Sequence, residues 1–180
     1  MDSTIYSPAE DSYLLSEILR KEIPNLIKEK PHLIFLEIGS GSGIQLETAL
    51  ELGIKKENIF AVDINPKVVE YCKSKGFNCS KSNLFENVNG KFDVIIFNPP
   101  YLPEDPKEPK ESQLATTGGK KGSEIINKFL KQSKKYLKKN GVIYLLTSSL
   151  TKEIDFQNYR KVLIENKNLF YETIYIWKLF

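Results

Sequence analysis

Asn98, Pro99, Pro100 and Tyr101 stand in a row after the apolar run FDVIIF (92–97). An asparagine side chain offers a carbonyl acceptor and an amino donor. The carbonyl of Pro99 is a second acceptor, and proline fixes φ without bringing a competing N–H. Two rigid acceptors can grip the two N–H groups of a planar amide. Such an amide is a poor nucleophile, because its nitrogen lone pair is delocalised into the carbonyl. Holding both N–H groups aims the nitrogen at an electrophile and stabilises the positive charge that grows on it during attack. The Tyr101 ring can stack on the planar group and exclude water. Taken alone, the same residues could simply end a strand, with Asn98 capping a turn.

A second group of residues could hold a ligand opposite them. The run LIFLEIG (33–39) leads into EIGSGSG (37–43), which puts Gly39, Gly41 and Gly43 between a strand and a helix. Glycine lets a ligand approach the backbone closely, and the following helix offers unpaired N–H groups. The third glycine of a dinucleotide fingerprint is replaced by Ile44, and the lysine of a Walker phosphate loop is absent. Glu37 precedes the turn, which disfavours a pyrophosphate and suits a positively charged ligand. Asp63 closes the next strand, NIFAVDIN (58–65). A carboxylate there can accept both ribose hydroxyls of an adenosine. Each such charge-assisted bond contributes about 1.5–3 kcal/mol. A tight turn would explain the glycines alone. Turn, Asp63 and strand order together point to an adenosyl ligand.

The elements that must position these groups alternate. A helix is expected over 7–23, with Ser7 as cap, Pro8 at its first position, Glu10 completing a capping box, and Leu14, Leu15, Ile18 and Leu19 as its apolar stripe. Helices are expected over 44–53 and 66–76, a weak polar strand over 78–85 and a buried strand over 92–98. The stretch 102–122 is rich in proline, lysine and glutamate, and reads as a long functional loop. A helix over 123–141, ended by Gly141, and strands over 142–148 and 172–179 complete the pattern. Residues 151–167 fit one amphipathic helix or a strand over 161–165 that turns at Asn166, Lys167 and Asn168; the turn chemistry favours the hairpin. Strands alternating with helices make a parallel sheet with right-handed crossovers.

Composition removes several classes. The chain has 180 residues, enough for one domain with a sizeable core, and no internal repeat. A net charge of +3 does not announce nucleic-acid binding. His32 is the single histidine, and Cys72 and Cys79 are the two cysteines, so histidine triads, metal clusters and a disulfide framework are not expected. No apolar run approaches a membrane span, and MDSTIYSPAED lacks the layout of a signal peptide, so a cytoplasmic protein is expected.

The glycine turn, Asp63 and the element order resemble the class I S-adenosylmethionine-dependent methyltransferases. That resemblance implies an α/β, Rossmann-like doubly wound sheet of order 3-2-1-4-5-7-6 with its last strand antiparallel. All of 1–180 would form one methyltransferase domain. NPPY (98–101) is shared by N5-glutamine methyltransferases and N6-adenine nucleic-acid methyltransferases. YSPAEDSYLL (6–15) is similar to the N-terminal signature of the short HemK-like enzymes of archaea and eukaryotes, and NLFYETIYIWK (168–178) extends the likeness. Those enzymes methylate the glutamine of the Gly-Gly-Gln motif in class I peptide-chain release factors.

The resemblance implies S-adenosylmethionine as methyl donor and S-adenosylhomocysteine as product. It assigns the cofactor to Tyr6, Ser12, Glu37, Gly39, Gly41, Asp63, Ile64, Asn83, Leu84 and Asn98, and the glutamine to Asn98, Pro99, Pro100 and Tyr101. It further implies a release factor as substrate and a small zinc-binding activator protein on the side of the 78–85 strand. The extra helical domain of bacterial relatives is not expected, since 36 residues precede Glu37. Two positions depart from the family. Asn83 stands for an aspartate that receives the adenine amino group, and Thr116 and Thr117 replace an aromatic or acidic residue in LATTGGKKG (114–122), where Gly118, Gly119 and Gly122 match. An N6-adenine methyltransferase and a non-catalytic cofactor-binding scaffold are the rival readings. The mixed charges of 102–122 argue against a nucleic-acid partner.

Overall fold

The computed structural model describes residues 6–180. Residues 1–5, part of the stretch read as lacking a leader, lie outside the described residues. In chain order the elements are α1 (Glu10–Glu29), β1 (Phe35–Ile38), α2 (Ile44–Glu51), β2 (Ile59–Asp63), α3 (Pro66–Ser74), β3 (Asn78–Lys81) and β4 (Phe92–Phe97). There follow β5 (Leu102–Pro103), α4 (Lys110–Thr116), β6 (Thr117–Gly119), α5 (Glu124–Ser133), β7 (Leu137–Ser148), β8 (Lys161–Asn168) and β9 (Thr173–Leu179).

Seven strands form one sheet in the order β3-β2-β1-β4-β7-β9-β8. Numbered within that sheet alone, this is the expected 3-2-1-4-5-7-6. β9 runs antiparallel to both β7 and β8. Both faces are covered, which is why the central strands are continuously apolar. Phe35, Ile59, Ala61, Val94, Ile96 and Tyr144 pack with residues of α1, α2 and α3. Leu36, Ile38, Ile95, Phe97 and Ile143 pack with Ile126, Phe129 and Leu130 of α5. By strand alternation Glu37, Asp63 and Asn98 belong to the α1 side. Ile38 pairs with Val62 on one side and Phe97 on the other, so β1, β2 and β4 end together at one edge of the sheet. The connections of β1 and β4 leave that edge in opposite directions, which opens the crevice where α/β folds bind ligands. Among the described residues no helix is long and apolar enough to cross a membrane, and no cluster of His, Cys, Asp and Glu could hold a metal ion.

Five expectations about elements need correction. The strand expected over 78–85 ends at Lys81, and Asn83 and Leu84 lie in the turn after it, where Leu84 takes φ of +53°. α1 begins at Glu10, not Ser7; Ala9 is its N-cap and makes no side-chain cap bond. Its first turn is served instead by Asp11, whose Oδ1 accepts the Ser12 N–H at 2.6 Å. α1 also runs through Pro24 to Glu29. A proline inside a helix costs about 3 kcal/mol. Burial of Ile23, with Leu26 and Ile27 packed on the core, opposes that cost. The helix expected over 123–141 stops at Ser133, and Leu137 already pairs with Phe92 in β7. There the sheet edge overrides helical periodicity: Lys138 Nζ lies 2.7 Å from Asp93 Oδ2 at the start of β4. The 151–167 region contains the hairpin strand rather than a helix. Its turn falls at Leu169–Glu172, while Asn166, Lys167 and Asn168 pair with Tyr175, Ile174 and Thr173. Finally, 102–122 is not a plain loop. β5 and β6 pair in parallel, with α4 between them.

Candidate active site

One cavity of about 320 Å³ lies at the carboxyl ends of β1, β2 and β4. Tyr6, Ser12, Glu37, Gly39, Gly41, Asp63, Ile64, Asn83, Leu84 and all four residues from Asn98 to Tyr101 line it. The residues assigned to cofactor and glutamine therefore meet in one place, while Gly43, Thr117, Gly118, Gly119 and Gly122 lie outside its lining.

The turn after β1 is built for close approach. Gly39, Gly41 and Gly43 have φ of +69°, +50° and +76°. A β-carbon on Gly39 would sit 3.5 Å from the Phe97 ring, and one on Gly41 would sit 3.9 Å from Tyr6 Cβ. Glu37 is buried, and its Oε2 has no hydrogen-bond partner. Burial, then the neighbouring Cys72 and Asp63, hold its carboxyl well above the usual carboxylate range. Asp63 accepts the Gly41 N–H at 3.1 Å and the Asn65 N–H at 2.8 Å. Burial still raises its carboxyl, against the pull of those backbone N–H groups. Two carboxyl groups buried in one cavity, one with a bare oxygen, match a ligand that brings a cation and hydroxyl donors.

The far end of the cavity follows β3. Asn83 Nδ2 donates to Glu86 Oε1 at 2.9 Å, which leaves the asparagine oxygen as an acceptor. An aspartate is thus not required for acceptance at this position. Leu84 has φ of +53°, a region that costs a branched side chain roughly 1 kcal/mol or more. Ser82 Oγ holds that turn, donating to the Leu84 carbonyl at 2.8 Å and accepting the Asn87 N–H at 2.9 Å. Such strain is stored where a site needs it.

At β4 the Asn98 Nδ2 donates to Asp11 Oδ2 at 2.9 Å, while Asn98 Oδ1 is buried with no partner. Tyr101 lies beside it, its phenol pushed up by burial and by the charges of Asp11 and Glu172. Its carbonyl accepts the Thr151 hydroxyl at 2.9 Å. The backbone of this segment is clamped from behind. A β-carbon on Gly118 would come within 2.6 Å of the Pro100 carbonyl oxygen, and one on Gly122 within 2.3 Å of the Tyr101 carbonyl oxygen. Only glycine fits there. Thr116 and Thr117 both donate to Glu108, so the residues that depart from the family pattern tie the end of α4 and the start of β6 to the segment that precedes α4.

Sequence reasoning missed Asp11, Glu86, Glu108 and Thr151. Asp11 had a readable signal. It shares the helical face of Leu14, Leu15 and Ile18, so a carboxylate sits on a buried apolar stripe.

Comparison with known proteins follows the same lines. The family model of the Eco57I restriction-modification methylases matches residues 73–176, which include NPPY. A Methanocaldococcus jannaschii protein, provisionally named a protein N5-glutamine methyltransferase, is 46% identical over 167 residues, covering 88% of this chain and 80% of its own. The Schizosaccharomyces pombe eRF1 methyltransferase catalytic subunit mtq2 is 30% identical, covering 82% of this chain and 74% of its own. The solved Mtq2–Trm112 complex of E. cuniculi, described as responsible for methylation of the eRF1 termination factor, superposes with a TM-score of 0.74 at 24% identity, over 98% of both chains. The chain belongs to the NPPY methyltransferases and, within them, to the protein N5-glutamine methyltransferase family.

Proposed function

We propose that this chain uses S-adenosylmethionine to methylate the side-chain nitrogen of the Gly-Gly-Gln glutamine in a class I peptide-chain release factor. The observation that carries the reading is the buried, partnerless Asn98 Oδ1 at the end of β4. A buried acceptor left without a partner in a cavity wall implies a donor that arrives with the substrate.

In this reading Glu37 takes the cationic amino group of the cofactor and Asp63 the ribose hydroxyls. The turn from Gly39 to Gly41 lies against the backbone of the ligand's amino-acid portion, and Tyr6 and Ser12 close that end. Ile64, Asn83 and Leu84 enclose the adenine. The bound cofactor supplies an activated methyl on a sulfonium. Asn98 Oδ1 and the Pro99 carbonyl each accept one N–H of the glutamine amide, Pro100 stiffens the turn, and Tyr101 packs on the amide plane. These contacts orient the nitrogen and offset the charge that develops on it. No base is needed before attack, since the proton leaves an already charged product. The whole of 1–180 acts as one methyltransferase domain in the cytoplasm.

A small zinc-binding partner docks on β3. That strand is an edge of the sheet, and three of its four residues are exposed, which leaves it open to strand addition. A relative called a catalytic subunit and a solved complex with Trm112 support a partner. The match to restriction-modification methylases supports a second reading, methylation of an adenine N6, because NPPY can accept from either amino group. Labelled cofactor offered with a release factor and with DNA separates the readings. Label on the Gly-Gly-Gln glutamine is expected. Label on adenine would establish the second reading, and cofactor binding without transfer to either would make the chain a scaffold.

A further inference from the structure

We infer that Asp11 is a positioning residue that fixes which end of the Asn98 amide faces the substrate. An asparagine side chain can turn its oxygen or its NH₂ toward a cavity by rotating half a turn, and in isolation the two states are close in energy. Only the first can accept from a substrate amide; the second opposes NH₂ to NH₂. Something must choose, and the choice is made on the side of Asn98 away from the bare oxygen.

Asp11 is only 5% exposed. Its Oδ1 accepts from the Ser12 N–H at 2.6 Å and the Ser12 hydroxyl at 3.2 Å, and both of its oxygens accept from the Tyr6 hydroxyl at 3.1 Å. Its Oδ2 accepts from Asn98 Nδ2 at 2.9 Å. Every partner of this carboxylate among the described residues is thus a donor. As a carboxylate it has no donor to offer the Asn98 oxygen, so the asparagine presents its NH₂ to Asp11 and turns its oxygen, buried and without a partner, away from Asp11 in the wall of the cavity. A hydrogen bond to a charged acceptor favours the bonded orientation by on the order of tenfold to a hundredfold. The Ser12 N–H fixes the carboxylate itself, because that bond is set by the first turn of α1. Tyr6 and Ser12, assigned to the cofactor from the sequence, thereby act on the substrate side as well, through the residue between them.

This inference rests on Asn98 accepting from the substrate, and the test separates the two. Asp11→Asn keeps the size and can keep the Ser12 bond, yet it offers Asn98 an NH₂ and so favours the reversed amide. With release factor and labelled cofactor, turnover should fall about 10- to 100-fold. The cofactor dissociation constant should change less than about twofold. In an Asn98→Ala background the same substitution should cost almost nothing more, because the group it acts through is gone. A full loss in that background, or a parallel loss of cofactor affinity, would overturn the inference. A second readout needs no turnover. The Asn98 side-chain NH₂ signal in a nitrogen-15 spectrum, assigned by its absence in Asn98→Ala, should exchange slowly with water in the native chain and shift in Asp11→Asn. Exchange at the rate of a free amide in the native chain would overturn the inference even if Asp11→Asn fails to fold.

Discussion

At the scale of single residues, two side chains carry separable consequences. Loss of the Asn98 acceptor should strike chemistry more than binding. Asn98→Ala is expected to lower turnover about 10²–10³-fold, in line with removal of one preorganised hydrogen-bonding group. Asn98→Asp adds a charge near a cationic cofactor and places a carboxylate against Asp11, which can no longer receive a donor from it. Cofactor should bind at least as well in Asn98→Asp while turnover falls; equal losses in both quantities would make Asn98 a cofactor residue. Glu37 governs a proton. Its carboxyl is raised by burial, Cys72 and Asp63, so it holds a proton at pH values where an ordinary glutamate is ionised. An incoming ammonium group favours the ionised form and drives the proton out. Calorimetry of cofactor binding across the pH range in which Glu37 titrates, in two buffers of different ionisation enthalpy, should register net proton release. That release should vanish in Glu37→Gln, and a buffer-independent heat in the native chain would remove Glu37 from the cationic end. Both residues could be chosen from the sequence because a motif or a glycine turn marked them. Asp11 could not be chosen that way, since its partner lies 87 residues away and no spacing rule connects them.

The elements show where local rules lost to pairing. The strands that deliver the site were legible in the sequence, because each is a short apolar run ending at a glycine, an aspartate or a proline. The start of β7 was not, because LKKNG (137–141) continues the helical pattern of α5 and only β4 beside it makes a strand. The hairpin turn was misplaced for a similar reason. Asn166, Lys167 and Asn168 have turn chemistry, but pairing with β9 extends them, and the chain reverses where Phe170 and Tyr171 stand fully exposed. Residues 102–122 hid the most. Their proline and lysine content reads as loop, yet β5, α4 and β6 fold back so that Gly118 and Gly122 touch the NPPY backbone. Gly118→Ala would put a β-carbon 2.2 Å from the Gly122 carbonyl oxygen as well as 2.6 Å from that of Pro100. The backbone must move, and a shift of about 1 Å at a positioning group costs about 10²-fold in rate. Turnover of Gly118→Ala should drop by that order with cofactor affinity little changed, since the residues proposed to hold the cofactor lie on other elements. Native turnover would show that the clamp does not set the geometry.

Across the whole molecule, stability and site are anchored at opposite ends of the sheet. At the end away from the cavity, Asp93 is buried, with Lys138 at 2.7 Å and Lys30 at 3.4 Å. Burial raises its carboxyl, but the bonds from Lys138 and the Ile34 N–H and the two lysine charges outweigh it and hold it below the usual range. A carboxyl depressed in the folded state stabilises above its unfolded pKa of about 4, and that contribution is lost as pH falls through the folded value. Urea midpoints of native chain and Asp93→Asn should therefore differ most at neutral pH and converge below about pH 4. A gap independent of pH would mean that packing, not charge, is what the aspartate provides. α1 links this framework to the catalytic edge. Its first turn meets Asn98 just past β4, and Glu22 in its middle accepts from Tyr144 of β7 at 2.9 Å and from Lys178 of β9. β9 comes last among the strands yet lies inside the sheet, between β7 and β8. α2 holds α1 nearer the cavity: Gln45 Nε2 donates to the Ser12 carbonyl at 2.8 Å, and Ser16 Oγ donates to Gln45 Oε1 at 2.9 Å. α1 is thus a lever with two fixed points, and slack at the β9 end is stopped at Gln45 before it reaches Asn98.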